Sequence, residues 1–304
     1  MNSSLPVFET NTLRIVCTSD THNDDPSSKV PDGDVFIHAG DLTDHSTVAE
    51  YTTVLDWVQA LPHKVKILIA GNRDGGLDPD NHKNRFNPEA LALVTSPKIK
   101  AKGIHYLDRE TRTVAYYTAP GSGELKELRV YANPLQPEFS PNRWPLTYPP
   151  HPSTEAEEAW SSAPTKEDAV PIWVMHGPPL DRLDKPNMPG LIGCAVQMRK
   201  IAAARPGLCV FGHFHFSWGV ERVAWNEGRD GIAKVKLLTL SEERKRQEGL
   251  EGPETRCEFN FSSQGVEEAV DIGRETVFVN AAWMTTKKTK VEDRNMPIVV
   301  TLTL

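Results

Sequence analysis

The sequence has no Cys-x-x-Cys pair, and its four cysteines, Cys17, Cys194, Cys209 and Cys257, are spread over 304 residues. A thiolate zinc site has no support, and a disulfide framework is not expected at this size. Cys17 and Cys209 lie inside apolar runs (Ile15-Val16-Cys17 and Leu208-Cys209-Val210-Phe211) and read as small core hydrophobes of a reducing compartment. No apolar run approaches the roughly 18 residues of a membrane span, so no membrane partner is expected. The opening Met1-Asn-Ser-Ser-Leu-Pro has no basic region leading into an apolar stretch. No secretory signal is read there, and the expected location is cytoplasmic. Excess basic charge is also missing: 34 Lys and Arg stand against 41 Asp and Glu, a net charge of -7. That balance argues against a nucleic-acid tract as partner and leaves room for a small phosphorylated substrate held locally. Oligomeric state is not legible.

What is present is a series of short apolar runs rich in β-branched residues. They are Leu13–Cys17, Asp34–His38, Val65–Ala70, Leu128–Tyr131, Pro171–Met175, Leu208–Phe211, Thr276–Val279 and Pro297–Thr301. Each has the length of a strand buried on both faces. Helical spacing appears between some of them, from Ser46 (a candidate N-cap, with Glu50 nearby) to Ala60, and from Leu191 to Ala204 before Arg205-Pro206-Gly207. Alternating strands and helices predict an α/β fold with layers on both sides of the sheet. Residues 1–304 read as a single domain. Two segments break the pattern: a proline-rich excursion at about 132–170, and a charged stretch at 226–273 that reads as a surface insertion with a solvated basic run at 242–247.

The chemistry is concentrated immediately after the strands. The first run leads into Asp20-Thr21-His22, the second into Gly40-Asp41 and the third into Gly71-Asn72-Arg73-Asp74. The fifth leads into His176-Gly177 and the sixth into Gly212-His213-Phe214-His215. Sites in open α/β sheets form outside the carboxyl ends of the strands, and a glycine there permits a sharp turn. Seven potential ligands are thereby sent to one edge: Asp20, His22, Asp41, Asn72, His176, His213 and His215. Imidazole with carboxylate suits manganese, iron, zinc or nickel. Seven groups are too many for one ion and right for two, which together clamp a phosphoryl group and activate a water. Asp20 and His22, like His213 and His215, have the i, i+2 spacing that puts both side chains on one side of extended chain.

These motifs resemble those of the calcineurin-like metallophosphoesterases: D-x-H, G-D, G-N-H-[DE], H and G-H-x-H in that order. The resemblance extends to Pro31–Gly40, Tyr131-Ala-Asn-Pro134 with Pro137-Glu-Phe139, and Val279-Asn280-Ala281, which are similar to the small cytosolic branch of the family. It implies a four-layer α/β/β/α sandwich of two mixed β-sheets flanked by helices. It implies two divalent or trivalent metal ions, the first on Asp20, His22 and His215, the second on Asn72, His176 and His213, with Asp41 bridging. A hydroxide between the ions would then attack phosphorus in a small-molecule phosphomonoester or phosphodiester.

One position departs from the pattern. The histidine of G-N-H-[DE], the family's usual proton donor to the leaving group, is Arg73 here. Arginine is not deprotonated at working pH, so it is no general acid, but it can hold an anionic oxygen. Three consequences stay open. Hydrolysis persists on esters with acidic leaving groups; another residue supplies the proton, His45 being the first candidate; or the dimetal centre does non-phosphoryl chemistry as a lyase, cyclase or isomerase, with Arg73 as anion clamp. A non-catalytic metal binder is the remaining alternative. His38 reads as core support, His63, His82, His105 and His151 as turn or surface residues, and Asp24 and Asp74 as partners of ligating histidines or loop caps. Trp144 and Trp160 read as pocket walls or satellite packing. Loops at 74–88, 120–127 and 132–170 are expected to choose the substrate.

Overall fold

The structure is a computed structural model that describes residues 12–304 except 81–84, 118–124, 140–143, 151–152, 186–192, 227–230, 243, 246–255, 263, 266 and 286–292. In chain order the strands are β1 (Thr12–Thr18), β2 (Val35–His38), β3 (Val65–Leu68), β4 (Ile104–Tyr106), β5 (Glu110–Tyr117), β6 (Leu125–Asn133), β7 (Gln136–Pro137) and β8 (Thr147–Tyr148). They continue with β9 (Ile172–Met175), β10 (Leu208–Phe211), β11 (Gly219–Trp225), β12 (Ile232–Leu240), β13 (Glu258–Phe261), β14 (Glu275–Asn280) and β15 (Ile298–Thr303). The helices are α1 (Val48–Ala60), α2 (Pro88–Val94), α3 (Pro97–Lys100), α4 (Thr154–Ala159) and α5 (Ala195–Ala204).

The strands form two large mixed sheets, ordered β13-β15-β1-β2-β3-β4 and β12-β11-β14-β10-β9-β6-β5, and β7 pairs with β8 apart from them. The period-2 alternation of the apolar runs sorts each strand between two cores. Ile15, Cys17, Val35, Ile37, Val65 and Ile67 face Val130, Ile172, Val174, Val210, Val277 and Val279 between the sheets. Their neighbours point outward: Val16, Phe36 and Leu68 pack under α1 through Tyr51, Val54 and Val58. On the other sheet Trp173, Met175, Cys209, Phe211 and Phe278 pack under α4 and α5 through Ala156, Val196 and Ile201. The result is the expected four-layer α/β/β/α sandwich. Within the first sheet β1, β2 and β3 run parallel side by side, with Val16 opposite Phe36. Within the second, β9 and β10 do the same. Five parallel strands therefore end on one rim. Among the described residues, no helix is long and apolar enough to cross a membrane.

Several local expectations need correction. Helix α1 is capped by Thr47, not Ser46: Thr47 accepts from the Glu50 amide while the Glu50 side chain accepts from the Thr47 amide, which is the spacing a capping box requires. Ser46 instead turns at φ +64° and bonds the Gly76 amide and the Tyr51 hydroxyl. Helix α5 begins at Ala195 behind the cap Cys194, and Leu191 lies outside the described residues. It ends at Arg205, whose φ of +54° is left-handed.

The stretch at 226–273, expected as a surface insertion, contains an edge strand of each sheet. β12 and β13 place Leu238, Leu240, Phe259 and Phe261 in the cores. Arg244, in the run expected to be solvated, is buried. The 132–170 excursion likewise buries Leu146, Tyr148 and Trp160, and the Trp160 indole donates to Tyr148 Oη at 2.8 Å. His63 is buried too, with its ring 5.6 Å from that of Phe36; His82 and His151 lie outside the described residues.

These placements have measurable consequences for stability. Phe261→Ala should cost about 3–5 kcal/mol in urea unfolding, whereas a side chain of a surface insertion would shift the midpoint little. Burial, then the Lys66 charge, pulls the His63 pKa down to about 4. The unfolded chain therefore takes up a proton near the ordinary histidine value while the folded chain does not until about pH 4. His63 accordingly stabilises the fold above that ordinary value, and this contribution is lost as pH falls from about 6.5 toward 4. His63→Phe should flatten that part of the stability–pH curve.

Candidate metal centre

The rim where β1, β2, β3, β9 and β10 end collects the candidate ligands. Asp20 follows β1 with φ +55°, and its amide donates to the Gly40 carbonyl, so the first two strand ends are tied together. His22 and Asp41 also adopt positive φ, +46° and +52°, and His213 stands at +64° after β10. Such backbone costs about 1–3 kcal/mol per residue and clusters where side chains must be aimed. Gly71 makes the close approach possible. A Cβ there would collide with the Asp41 amide and Oδ1, and would lie 2.6 Å from His176 Cε1.

Two triads result. Asp20, His22 and His215 present ligand atoms within 4.8 Å of one another, and so do Asp41, His176 and His213. Asp41 lies between them: its Oδ2 is 3.5 Å from His22 Nε2 and its Oδ1 is 3.5 Å from His176 Nε2. Asn72 joins the second triad, with Oδ1 3.1 Å from His176 Nε2. All seven candidate ligands are thus brought together.

The hydrogen bonding of this cluster suits cations. His176 Nδ1 donates to the Ala39 carbonyl at 2.8 Å, which leaves Nε2 as a lone pair aimed at two oxygens that are themselves acceptors, Asn72 Oδ1 and Asp41 Oδ1. The Asn72 oxygen already accepts from Gln136 Nε2 at 2.9 Å. Asp20 Oδ1 and His22 Nε2 are buried without a hydrogen-bond partner among the described residues. Buried acceptors facing one another are costly unless something positive lies between them. Around His22, burial opposes protonation, but the Asp44 hydrogen bond and the charges of Asp41, Asp20 and Asp44 raise its pKa to about 9. Burial opposes ionisation of Asp20, yet the neighbouring imidazoles, His215 first with Nε2 3.4 Å from Oδ1 and then His176 and His22, hold it well below the ordinary carboxylate range. His213 is pushed well below its usual value by burial, then by His176. The field of the acids thus favours cations.

Supporting side chains fix these ligands. Asp44 accepts from His22 Nδ1 at 3.0 Å and so turns Nε2 toward Asp41. Asp74 caps the loops instead of meeting a histidine: it accepts from the amides of Leu42, Thr43 and Gly71 and from Thr43 Oγ1. Asp24 accepts from the Trp283 indole and Arg294, again not from a ligand. Asn280 Nδ2 donates to the Phe214 carbonyl at 3.1 Å and holds the His213–His215 turn. His38 is buried, bonded to Thr21 Oγ1 at 2.9 Å, and pulled down to about pKa 3 by burial. Asp44 and Gln136 escaped the sequence reading. Neither sits in a strand-end motif, and only the Asx-rich turn Asp41-Leu-Thr-Asp44 offered a signal for the first.

Beside the triads lies a cavity of about 570 Å³, lined by Asp44, His45, Arg73, Arg85, Asn87 and Trp144 among others. The Arg73 amide donates to Asp41 Oδ1 at 2.7 Å, and its guanidinium lies over the Trp144 ring. His45 is exposed on this wall with Nδ1 3.1 Å from Glu50 Oε1, and it is not part of either triad. Of the loops expected to choose substrate, 74–88 and 132–170 reach the cavity, while in 120–127 residues 120–124 lie outside the described residues and 125–127 begin β6.

The chain is similar to several known proteins. Over 71% of its length the chain is 34% identical to the probable rhamnogalacturonate lyase C of Emericella nidulans, covering 18% of that protein. It is 31% identical to the metallophosphoesterase domain-containing protein 1 of Homo sapiens, over 68% of this chain and 62% of that one. The chain thus spans less than two thirds of either relative. TT1561 of Thermus thermophilus, a solved structure, superposes with a TM-score of 0.39 at 14% identity, over 66% of this chain and 82% of that chain. The profile of the calcineurin-like phosphoesterases matches residues 13–217, more than half of the sequence, and the chain belongs to that family.

Proposed function

We propose that this protein is a dimetal-dependent hydrolase of a small-molecule phosphomonoester or phosphodiester, acting in the cytoplasm. The observation that carries the reading is the Asp41 carboxylate set between two ligand triads, one oxygen 3.5 Å from His22 and the other 3.5 Å from His176. The four free cysteines are in keeping with the location. Imidazole and carboxylate in this ratio fit manganese, iron, zinc or nickel. Bound there, two cations supply Lewis acidity and a water made nucleophilic near neutral pH.

The chain's own groups do the rest. Asp20, His22 and His215 would hold one cation and Asn72, His176 and His213 the other, with Asp41 placed to contribute to both sets. Asp44 keeps the His22 ring in the tautomer whose Nε2 lone pair faces inward, and the Ala39 carbonyl does the same for His176. Arg73 holds the non-bridging oxygens of the substrate phosphoryl group, as a planar fork of donors does well. It does not protonate the leaving group. His45, exposed on the same cavity wall with its Nδ1 engaged by Glu50, is the first candidate for a substitute donor, a weaker one than a histidine at position 73, so esters with acidic leaving groups turn over best.

The test is elemental analysis joined to turnover of p-nitrophenyl phosphate and bis-p-nitrophenyl phosphate. Two equivalents of metal with turnover support the reading, and metal with no turnover of any phosphoester in a broad panel would sink it. Asp41→Asn should lower metal content from two equivalents to one or none; retained stoichiometry refutes the shared carboxylate. Arg73→His should raise kcat for alkyl phosphoesters at least tenfold, within the roughly 10²–10⁴-fold that general acid help provides, and change the p-nitrophenyl esters little. An unchanged alkyl rate in a metal-replete variant would show that the missing acid is not limiting.

A further inference from the structure

The Arg73 side chain has a long-range neighbour that sequence order does not reveal. Its guanidinium carbon lies 4.4 Å from the centroid of the Trp144 ring. Trp144 stacks on Phe139 at 6.3 Å with the ring planes 11° apart. Phe139 in turn meets His213 edge-on at 4.5 Å. A continuous row of rings thus runs from a candidate metal ligand to the arginine that stands where the family pattern has histidine.

Both ends of Arg73 are held. Its amide is fixed on the shared Asp41 carboxylate at 2.7 Å, and its head rests on the indole face. The acid lining the cavity, Asp44, is engaged by His22 at 3.0 Å, and among the described residues Arg73 has no ion-pair partner. The face of the guanidinium is therefore occupied while its N–H edges are left for a ligand. An arginine exposed at a cavity rim ordinarily surrenders about 2 kcal/mol of rotamer freedom when it binds. Stacking on tryptophan, the best of the aromatic partners, restricts it in advance.

We propose that Trp144 is the positioning residue for Arg73, holding it as a flat clamp for the anionic oxygens of the substrate's phosphoryl group. The pairing adapts the site to an arginine at this position. It rests on the reading of the site as a dimetal phosphoesterase. Among the described residues the Trp144 ring meets Phe139 and Arg73 but no candidate metal ligand, and it is only half-buried, so its replacement spares the core.

The experiment measures inorganic phosphate binding to the metal-loaded full chain by titration calorimetry, with metal content determined for each variant. Trp144→Ala should weaken phosphate binding roughly three- to thirtyfold with metal stoichiometry unchanged, and Trp144→Phe should recover most of the loss. In an Arg73→Ala background, Trp144→Ala should add less than about twofold if the tryptophan works only through the arginine. An equal loss in both backgrounds, or wild-type affinity in Trp144→Ala, overturns the proposal while leaving the dimetal reading intact. Wild-type protein that takes up no metal overturns the dimetal reading and the proposal together.

Discussion

His176 donates from Nδ1 to the Ala39 carbonyl at 2.8 Å, and the His213 amide donates to Asp20 Oδ2 at 2.9 Å. Each bond crosses from one sheet to the other at the strand ends. The interior between the sheets is apolar and held by a hydrophobic effect that has no preferred direction. These two directional contacts set the offset of the rims. They also decide the chemistry, since the first fixes which imidazole nitrogen of His176 is left as a lone pair and the second fixes which Asp20 oxygen is left unpaired.

The rim carries strain that the rest of the fold must sustain. Asp20, His22, Asp41 and His213 all adopt left-handed backbone. None has the freedom of glycine, and each would relax if its turn were loosely held. The amides of these turns are instead anchored: Asp20 to the Gly40 carbonyl, His22 to the Asp41 carbonyl and His213 to the Asp20 carboxylate. A centre of converging lone pairs and closely set acids is unfavourable by itself. It persists because sheet packing on both sides over-determines the geometry.

Much of this was legible in the sequence, for a definite reason. Strands such as Val35–His38 and Leu208–Phe211 are buried on both faces, so they read as unbroken apolar runs. The ligands stand directly after them. Strand β12, Ile-Ala-Lys-Val-Lys-Leu-Leu-Thr-Leu, is exposed over its first half, and its charges masked the buried Leu238 and Leu240 at its end. Strand β13 is only four residues long and sits in a charged neighbourhood, so Phe259 and Phe261 had too little flanking pattern to register. The Ser46 expectation failed by one residue because Ser ranks above Thr as a cap on propensity; only the three-residue reach to Glu50 selects Thr47. Asp44, Gln136 and Trp144 meet their partners through turns and an excursion with no periodicity, where spacing carries no information about distance.

One carboxylate couples two of the loops that bear ligands. Asp74 accepts from Leu42 and Thr43, which follow Asp41, and from Gly71, which precedes Asn72. The segments after β2 and β3 are thereby bolted into one plate, with Tyr51 of the helix beneath also donating to the same group at 3.3 Å. Asp41 and Asn72 consequently share a fixed bite. Neither is free to shift without the other, so the scaffold as well as ligand softness would set the ionic radius of a cation held there.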